Sequence, residues 1–316
     1  MTTDTVPNPV TFTQCHSMHT TIRILTGPLY LLCVLLPGLS ACGNPPTPSP
    51  PRKGIVTMAP HLTETVFALG QGSRVIAVGS FCDYPPEAVK LPRIGGYLDP
   101  NLEKISTLSP ELLIVPGRDR KVTEYAQMKG LPLLSVNMDS LESIDEGIGT
   151  IGKTLGCLRE ADVLRARIRA ELDAVRNAVK GLPRPKVLII TTRPDHTLNS
   201  LYTANRTSFV SEMVDCAGGE NIYADGPSNY FTASKETIVM RAPDVIIEFH
   251  AGENLDESER TKFVADWRQL PSLPAVRNGR VHLIHESHAL RPGPRVGEIA
   301  CILARHIHPE AAIPSS

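Results

Sequence analysis

Residues 56–105 place the tightest limits on the fold. A β-branched run ends at Ala59-Pro60 with a helical pattern directly behind it, and a second apolar run, 75–78, ends in the loop Ser80-Phe81-Cys82-Asp83-Tyr84. A third loop, Gly95-Gly96-Tyr97, feeds another helix. Polar and aromatic loops at the carboxyl ends of successive strands are how open α/β sheets build a ligand crevice. The stretch therefore reads as a binding rim.

The same alternation runs through the rest of the chain. Strands at 54–58, 75–78, 112–115 and 133–136 alternate with helices at 62–69, 102–108 and 122–129, predicting parallel βαβ units in a first lobe over residues 54–138. A helical region follows at 139–182. Within it Ala161, Leu164, Ile168, Leu172, Val175 and Val179 recur at steps of three and four, the apolar face of one helix over 159–180. At 1.5 Å per residue that helix spans roughly 30 Å, the width of a small domain. Beyond Pro183 the alternation resumes, with strands at 187–191, 245–249 and 281–285 and helices at 209–216, 236–241 and 296–306. This predicts a second lobe over 183–316. The expected class is α/β: two Rossmann-like lobes with a ligand cleft at their join and little hinge motion.

The first forty residues read as a targeting segment. Arg23 precedes an apolar run, 24–36, too short to span a bilayer and suited to a signal peptide, with Met18 an alternative start. Leu39-Ser40-Ala41-Cys42 resembles a bacterial lipobox, so residues 1–41 are expected to be removed and Cys42 lipidated. The other reading is an ordinary signal peptide cut nearby. Residues 42–53, rich in proline, would form the tether. Of seven cysteines, Cys82, Cys157, Cys216 and Cys301 stay in the exported body; no CxxC pair occurs, which leaves a structural zinc site without support. A net charge of −1 gives no bulk attraction to nucleic acid or to an anionic membrane surface.

Several motifs in a fixed order carry a resemblance. Ala59-Pro60 with Thr63-Glu64, Asp83-Tyr84-Pro85-Pro86, Gly95-Gly96-Tyr97 and the Asn-Leu-Glu-Lys-Ile of 101–105 are similar to the helical-backbone class of periplasmic substrate-binding proteins. Within it they resemble the vitamin B12-binding and iron(III)-siderophore-binding members of ABC importers. Cys216-Ala217-Gly218-Gly219-Glu220-Asn221, Ser234-Lys235-Glu236-Thr237-Ile238 and Arg291-Pro292-Gly293-Pro294-Arg295 continue it, and it covers residues 54–309. The resemblance implies two lobes joined by a single backbone helix, a metal chelate held between them, and docking onto a membrane permease with its ATPase. Glu103 and Glu236 fall on the positions where one glutamate per lobe faces permease arginines. Paired exposed carboxylates of this kind set orientation and encounter rate more than affinity; a first-turn glutamate favoured by the helix dipole is the plainer account of each.

Corrins and other large chelates need flat apolar area and a few oriented polar groups. Phe81 and Tyr97 are expected on the first rim, and Tyr230, Phe231 and Phe249 on the second, with Phe81 and Phe249 also readable as core. Arg118, Arg193 and Arg291 end strands or sit in loops where a guanidinium could take a carboxylate, catecholate or phosphate. His61, His250 and His288 lie on cleft loops, as ligand contacts or as hydrogen-bonded loop residues. Members that bind B12 line the cleft with several tryptophans; here the one tryptophan, Trp267, lies in a helical segment and reads as packing. Cys216 and Cys301, on helices of the same lobe, are expected to form a disulfide.

The expectation is thus a monomeric, non-catalytic substrate-binding lipoprotein, exported and held to the cell envelope by its lipid alone, facing the periplasm. It needs no cofactor or resident metal. Its cargo would be a cobalamin or related corrinoid, then an iron(III)-siderophore, then haem. The rival of a different class is an exported metal-dependent hydrolase using the histidines with Asp83, Asp99 or Asp119, which would need three ligands converging on one point.

Overall fold

The computed structural model describes residues 54–96, 98–117 and 120–315. The expected leader, tether and lipidated Cys42 therefore lie outside the described residues, as do Tyr97, Arg118 and Asp119.

The chain first runs through β1 (Ile55–Thr57), α1 (Pro60–Ala68), β2 (Val75–Val78), α2 (Pro86–Val89), α3 (Leu102–Leu108), β3 (Leu112–Pro116), α4 (Arg120–Lys129) and β4 (Leu133–Val136). The four strands form a parallel sheet in the order β2-β1-β3-β4. Two helices then follow, α5 (Leu141–Leu155) and α6 (Leu158–Ala178). The chain continues with β5 (Lys186–Ile190), β6 (Leu201–Ala204), α7 (Phe209–Cys216), β7 (Glu220–Asn221), β8 (Tyr230–Ala233) and α8 (Lys235–Arg241). It ends with β9 (Val245–Phe249), α9 (Glu257–Asp266), α10 (Pro274–Arg277), β10 (Val281–Ile284) and α11 (Val296–Ile307). The second parallel sheet has the order β10-β9-β5-β7. Read from the other edge, it repeats the first: an opening strand flanked by the next strand of its sheet on one side and by the third on the other.

The inner strands β1, β3, β5 and β9 are buried on both faces, which is why they read as largely apolar runs. Successive residues alternate between cores. Ile55, Ile114, Val187, Ile189, Val245 and Ile247 enter one continuous core that also takes in α5, α6, α7 and α11. Val56, Leu113 and Val115 face a second core with Ile105, Val122 and Ala126. Leu188, Ile190 and Ile246 face a third with Ile238 and Trp267. The shared first core makes α6 structural. Its Ala161, Leu164, Ile168, Leu172 and Val175 are buried along one stripe, as their spacing predicts. The helix stops at Ala178, two residues short of the expected end, and Gly156 in the left-handed region (φ 74) separates it from α5.

The antiparallel pair β6–β8 escapes the periodicity argument. Each strand has four residues and is bounded by turn-forming Asn and Ser, so the alternation is too short to register.

Candidate functional site

Loops after the strands of the two lobes meet each other. His61, in the first turn of α1 behind β1, packs on Gly293 in the loop after β10; a Cβ on Gly293 would come within 3.0 Å of the His61 Cβ. The carboxyl edges of both sheets are therefore turned towards the join. In each lobe the strand order reverses between the first strand and the third, β1 and β3 or β5 and β9, the place where open α/β sheets hold ligands.

Two flanks pin this join. At the β2 and β10 edges, Glu64 is 2 % exposed and accepts from Arg295 Nε (2.8 Å) and from an Arg295 terminal nitrogen (2.7 Å). Arg291 reaches the same carboxylate at 3.3 Å, and both its terminal nitrogens bond Asp83. Arg291, one of the expected ligand contacts, is thus spent on the interlobe junction. Its guanidinium holds the Asp83 carboxyl below the ordinary carboxylate range. At the other flank the Phe209 amide donates to the Asp139 carbonyl (2.9 Å) and the Leu141 amide to Glu212 Oε2 (2.6 Å).

The rim of the first lobe is built from below. Thr57 and Thr63 hydroxyls share a buried 2.6 Å hydrogen bond, and Thr63 also donates to Cys82 Sγ at 3.1 Å. That fixes Cys82 in the core and turns its neighbour outward: Phe81 is 70 % exposed. Gly96 approaches the Phe81 ring, and Gly95, with φ +88, makes the tight turn that closes on Asp99. Leu98 beside it is largely exposed.

The rim of the second lobe carries the β6–β8 ribbon. Thr191 and Thr192, just beyond β5, bond both backbone groups of Tyr202 (2.9 and 3.0 Å), which hangs the ribbon from the carboxyl end of that strand. Tyr202 stands opposite Thr232 and Ala204 opposite Tyr230. The tyrosines are therefore diagonal neighbours on one face, within reach of each other and of a shared ligand. They are 44 % and 45 % exposed. The sequence reading placed Tyr230 on this rim and passed over Tyr202, whose four-residue strand is too short for the alternation to register.

Other expected contacts lie elsewhere. Phe249 is a core residue because its strand is buried on both faces. Phe231 is half-buried and packs edge-on against Tyr223 at 5.5 Å. Arg193 has no exposed side-chain surface. Its Nε donates to Glu248 (2.6 Å), it reaches Asp266 (3.1 Å), and its guanidinium lies over Phe263. An arginine ending a strand looks rim-like in sequence, but the carboxylate beneath it draws it inward. His250 is buried for the same reason, with Nε2 at 2.8 Å from Glu248 and Nδ1 at 2.7 Å from Glu253. Trp267, the packing tryptophan, is fully buried and donates to the other Glu248 oxygen at 2.8 Å.

His61 is half-buried, its pKa pushed down to about 4 by burial and by the Arg291 guanidinium. His288 is held near 4 as well, by burial and then Arg295; its Nε2 sits 3.3 Å from Glu298 without forming a hydrogen bond. The neutral ring makes that contact no ion pair. Among the described residues, no three His, Cys, Asp or Glu side chains converge to hold a metal ion. Cys216 and Cys301 are free thiols, a correction to the expected disulfide: both are buried in helix packing, and Cys216 Sγ meets the Leu172 carbonyl at 3.5 Å.

Glu103 and Glu236 occupy matching places. Each is the second residue of a seven-residue helix, capped by Asn101 and Ser234, and each helix leads into the third strand of its sheet, β3 or β9. Both are exposed. A further groove of about 560 Å³ is walled by α5, α6 and Val296, with Asp145, Arg165 and Arg169 at its mouth; it contains none of the rim aromatics.

Two α/β lobes pinned together by contacts of their strand-end loops and flanking helices define a two-lobed α/β fold. The chain belongs to the periplasmic binding protein family, which it matches over residues 55–287. An uncharacterized ABC transporter substrate-binding lipoprotein of Bacillus subtilis is 28% identical over 265 residues, covering 82% of this chain and 81% of its own. The periplasmic heme-binding protein RhuT from Roseiflexus sp. RS-1, in apo form, is 27% identical with a TM-score of 0.69 over 81% of this chain and 98% of its own. The periplasmic vitamin B12-binding protein BtuF of Vibrio cholerae is 25% identical with a TM-score of 0.68 over 81% and 97%.

Proposed function

We infer that this protein is the exported, lipid-anchored substrate-binding component of an ABC importer. It takes a metal chelate between its lobes and delivers it to the permease and its ATPase. A cobalamin or related corrinoid is the leading cargo and an iron(III)-siderophore the second. The observation that carries the reading is the exposure of Phe81 on one lobe and of Tyr202 with Tyr230 on the other, in a loop and a ribbon that follow the carboxyl ends of their strands. Aromatic faces with few polar groups suit a flat, apolar chelate.

Docking follows from the same geometry. Glu103 and Glu236 present one carboxylate per lobe from matching helix starts, a two-point charge pattern that orients the protein on a basic surface. The clasped flanks imply that recognition depends on a small change at the cleft and not on a wide hinge. No catalytic step is assigned.

Haem is the third cargo, favoured by the likeness to the Roseiflexus protein. Calorimetric titration of the leader-free protein with cyanocobalamin, a panel of ferric siderophores and haemin separates the three. Saturable one-to-one binding of cyanocobalamin supports the leading reading, a ferric siderophore or haemin alone moves the cargo, and no binding to any of them removes the proposal.

A further inference from the structure

Glu248 is a carboxylate on the central strand β9 with no exposed surface. A charge so placed is tolerated only with several donors. It has three: Arg193 Nε at 2.6 Å, His250 Nε2 at 2.8 Å and Trp267 Nε1 at 2.8 Å. Arg193 and Trp267 suffice to hold it. His250 does something more, because its other nitrogen leaves the core and meets Glu253 at 2.7 Å in the exposed loop after β9.

We propose that His250 positions the rim loop 251–256, tying its Glu253 side chain to the core of the second lobe only while its ring carries both protons, and that loss of one proton loosens the loop and weakens ligand capture. The loop lies beside the interlobe junction: His250 and Gly252 amides bond the Ile284 and His285 carbonyls at the end of β10, and the segment that follows carries the Arg291 that clasps the first lobe. A ring that faces a carboxylate on each side must donate from both nitrogens, which only the imidazolium does. With one proton left, the ring keeps the buried Glu248, and the half-exposed Glu253, which water can satisfy, lets go.

Every group around the ring fits this division. Glu248 lies below it on β9 and Glu253 on its own loop. From the loop after β5, Arg193 is neutralised by Glu248 and Asp266, and His196 pairs with Asp266. From α9, Phe263 packs on the ring at 4.3 Å. Burial alone would lower the pKa of the ring; the bonds to Glu248 and Glu253 outweigh it and hold the value above 6.5.

The tether itself does not depend on the ligand reading; its effect on capture does. The test measures amide-exchange protection of residues 251–256 and fluorescence of Trp267, which shares Glu248 with His250, from pH 5.5 to 9 without ligand. Wild type should lose protection of the loop several-fold as pH rises, with a fluorescence step at the same midpoint. Glu253→Gln, an exposed change that leaves the core intact, should give a loop weakly protected at every pH and a midpoint moved down. His250→Gln should abolish the step. Cyanocobalamin titration then should show wild-type affinity falling several-fold over that range and Glu253→Gln affinity flat. Loop protection independent of pH in wild type, or equal profiles in wild type and Glu253→Gln, overturns the tether. An intact tether with pH-independent cyanocobalamin affinity overturns its role in capture. Absence of cyanocobalamin binding counts against the ligand reading and leaves the exchange result decisive for the tether.

Discussion

Glu64 and Arg295 join the lobes through two parallel hydrogen bonds, 2.7 and 2.8 Å long, between a buried carboxylate and a guanidinium that also covers the Tyr84 ring at 4.2 Å. With Arg291 on the same carboxylate, one negative charge holds two positive ones at the join. Truncating Glu64 to Ala leaves the Arg295 guanidinium without its carboxylate, while Arg291 keeps Asp83. Breaking a buried pair in this way costs about 3–5 kcal/mol. Urea unfolding of Glu64→Ala should show a loss of that order, and Glu64→Gln, which keeps acceptor and shape, a smaller one.

Tyr202 lies on the exposed face of its ribbon while its backbone holds the ribbon to β5. Tyr202→Ala keeps that backbone and removes only the ring. Stability should change by less than about 0.5 kcal/mol. Cyanocobalamin affinity should fall about tenfold, the equivalent of ~1.4 kcal/mol of aromatic contact. Thermal unfolding and calorimetry on the same sample check both.

His61, His282 and His288 are all held near pH 4 by burial, so the folded protein keeps them neutral where the unfolded chain, at 6.5, takes up protons. A depressed histidine therefore stabilises fully above pH 6.5, and its contribution fades as pH falls towards 4. Each adds a slope of up to about 1.4 kcal/mol per pH unit within that window. The melting temperature should drop steeply between pH 6.5 and 4.5, and His282→Asn should flatten the slope. His250 has the opposite sign: raised in the fold, its contribution is complete below 6.5 and fades as pH rises through its folded value.

The free state of Cys216 and Cys301 has a direct consequence. Mass spectrometry of the non-reduced, alkylated protein should find Cys82, Cys157, Cys216 and Cys301 each modified after denaturation. The melting temperature should not respond to a reductant.

The sheets were legible because their strands are short, mostly apolar runs between turn signals: β2, β4 and β9 coincide with the runs 75–78, 133–136 and 245–249. The stripe along α6 was legible from its spacing. The site was less so. Phe81 and Tyr230 could be read because turn-forming residues surround them, whereas the inward turn of Arg193 depends on Glu248, fifty-five residues away in the chain. No local pattern announces such a pairing. Likewise Arg291 read as a loop cation, and only the fold brings it to Asp83 and Glu64 of the other lobe.

The central claim is that a chelate sits between the two rims, and calorimetry of wild type beside Phe81→Ala and Tyr230→Ala tests it most directly. Each variant alters an exposed ring on a different lobe. With cyanocobalamin, ferric siderophores and haemin as titrants, the account predicts one-to-one binding of one chelate to wild type. It also predicts a loss of affinity of about tenfold in each variant. Unchanged affinity in both variants, or no binding to wild type by any of the chelates, would contradict it.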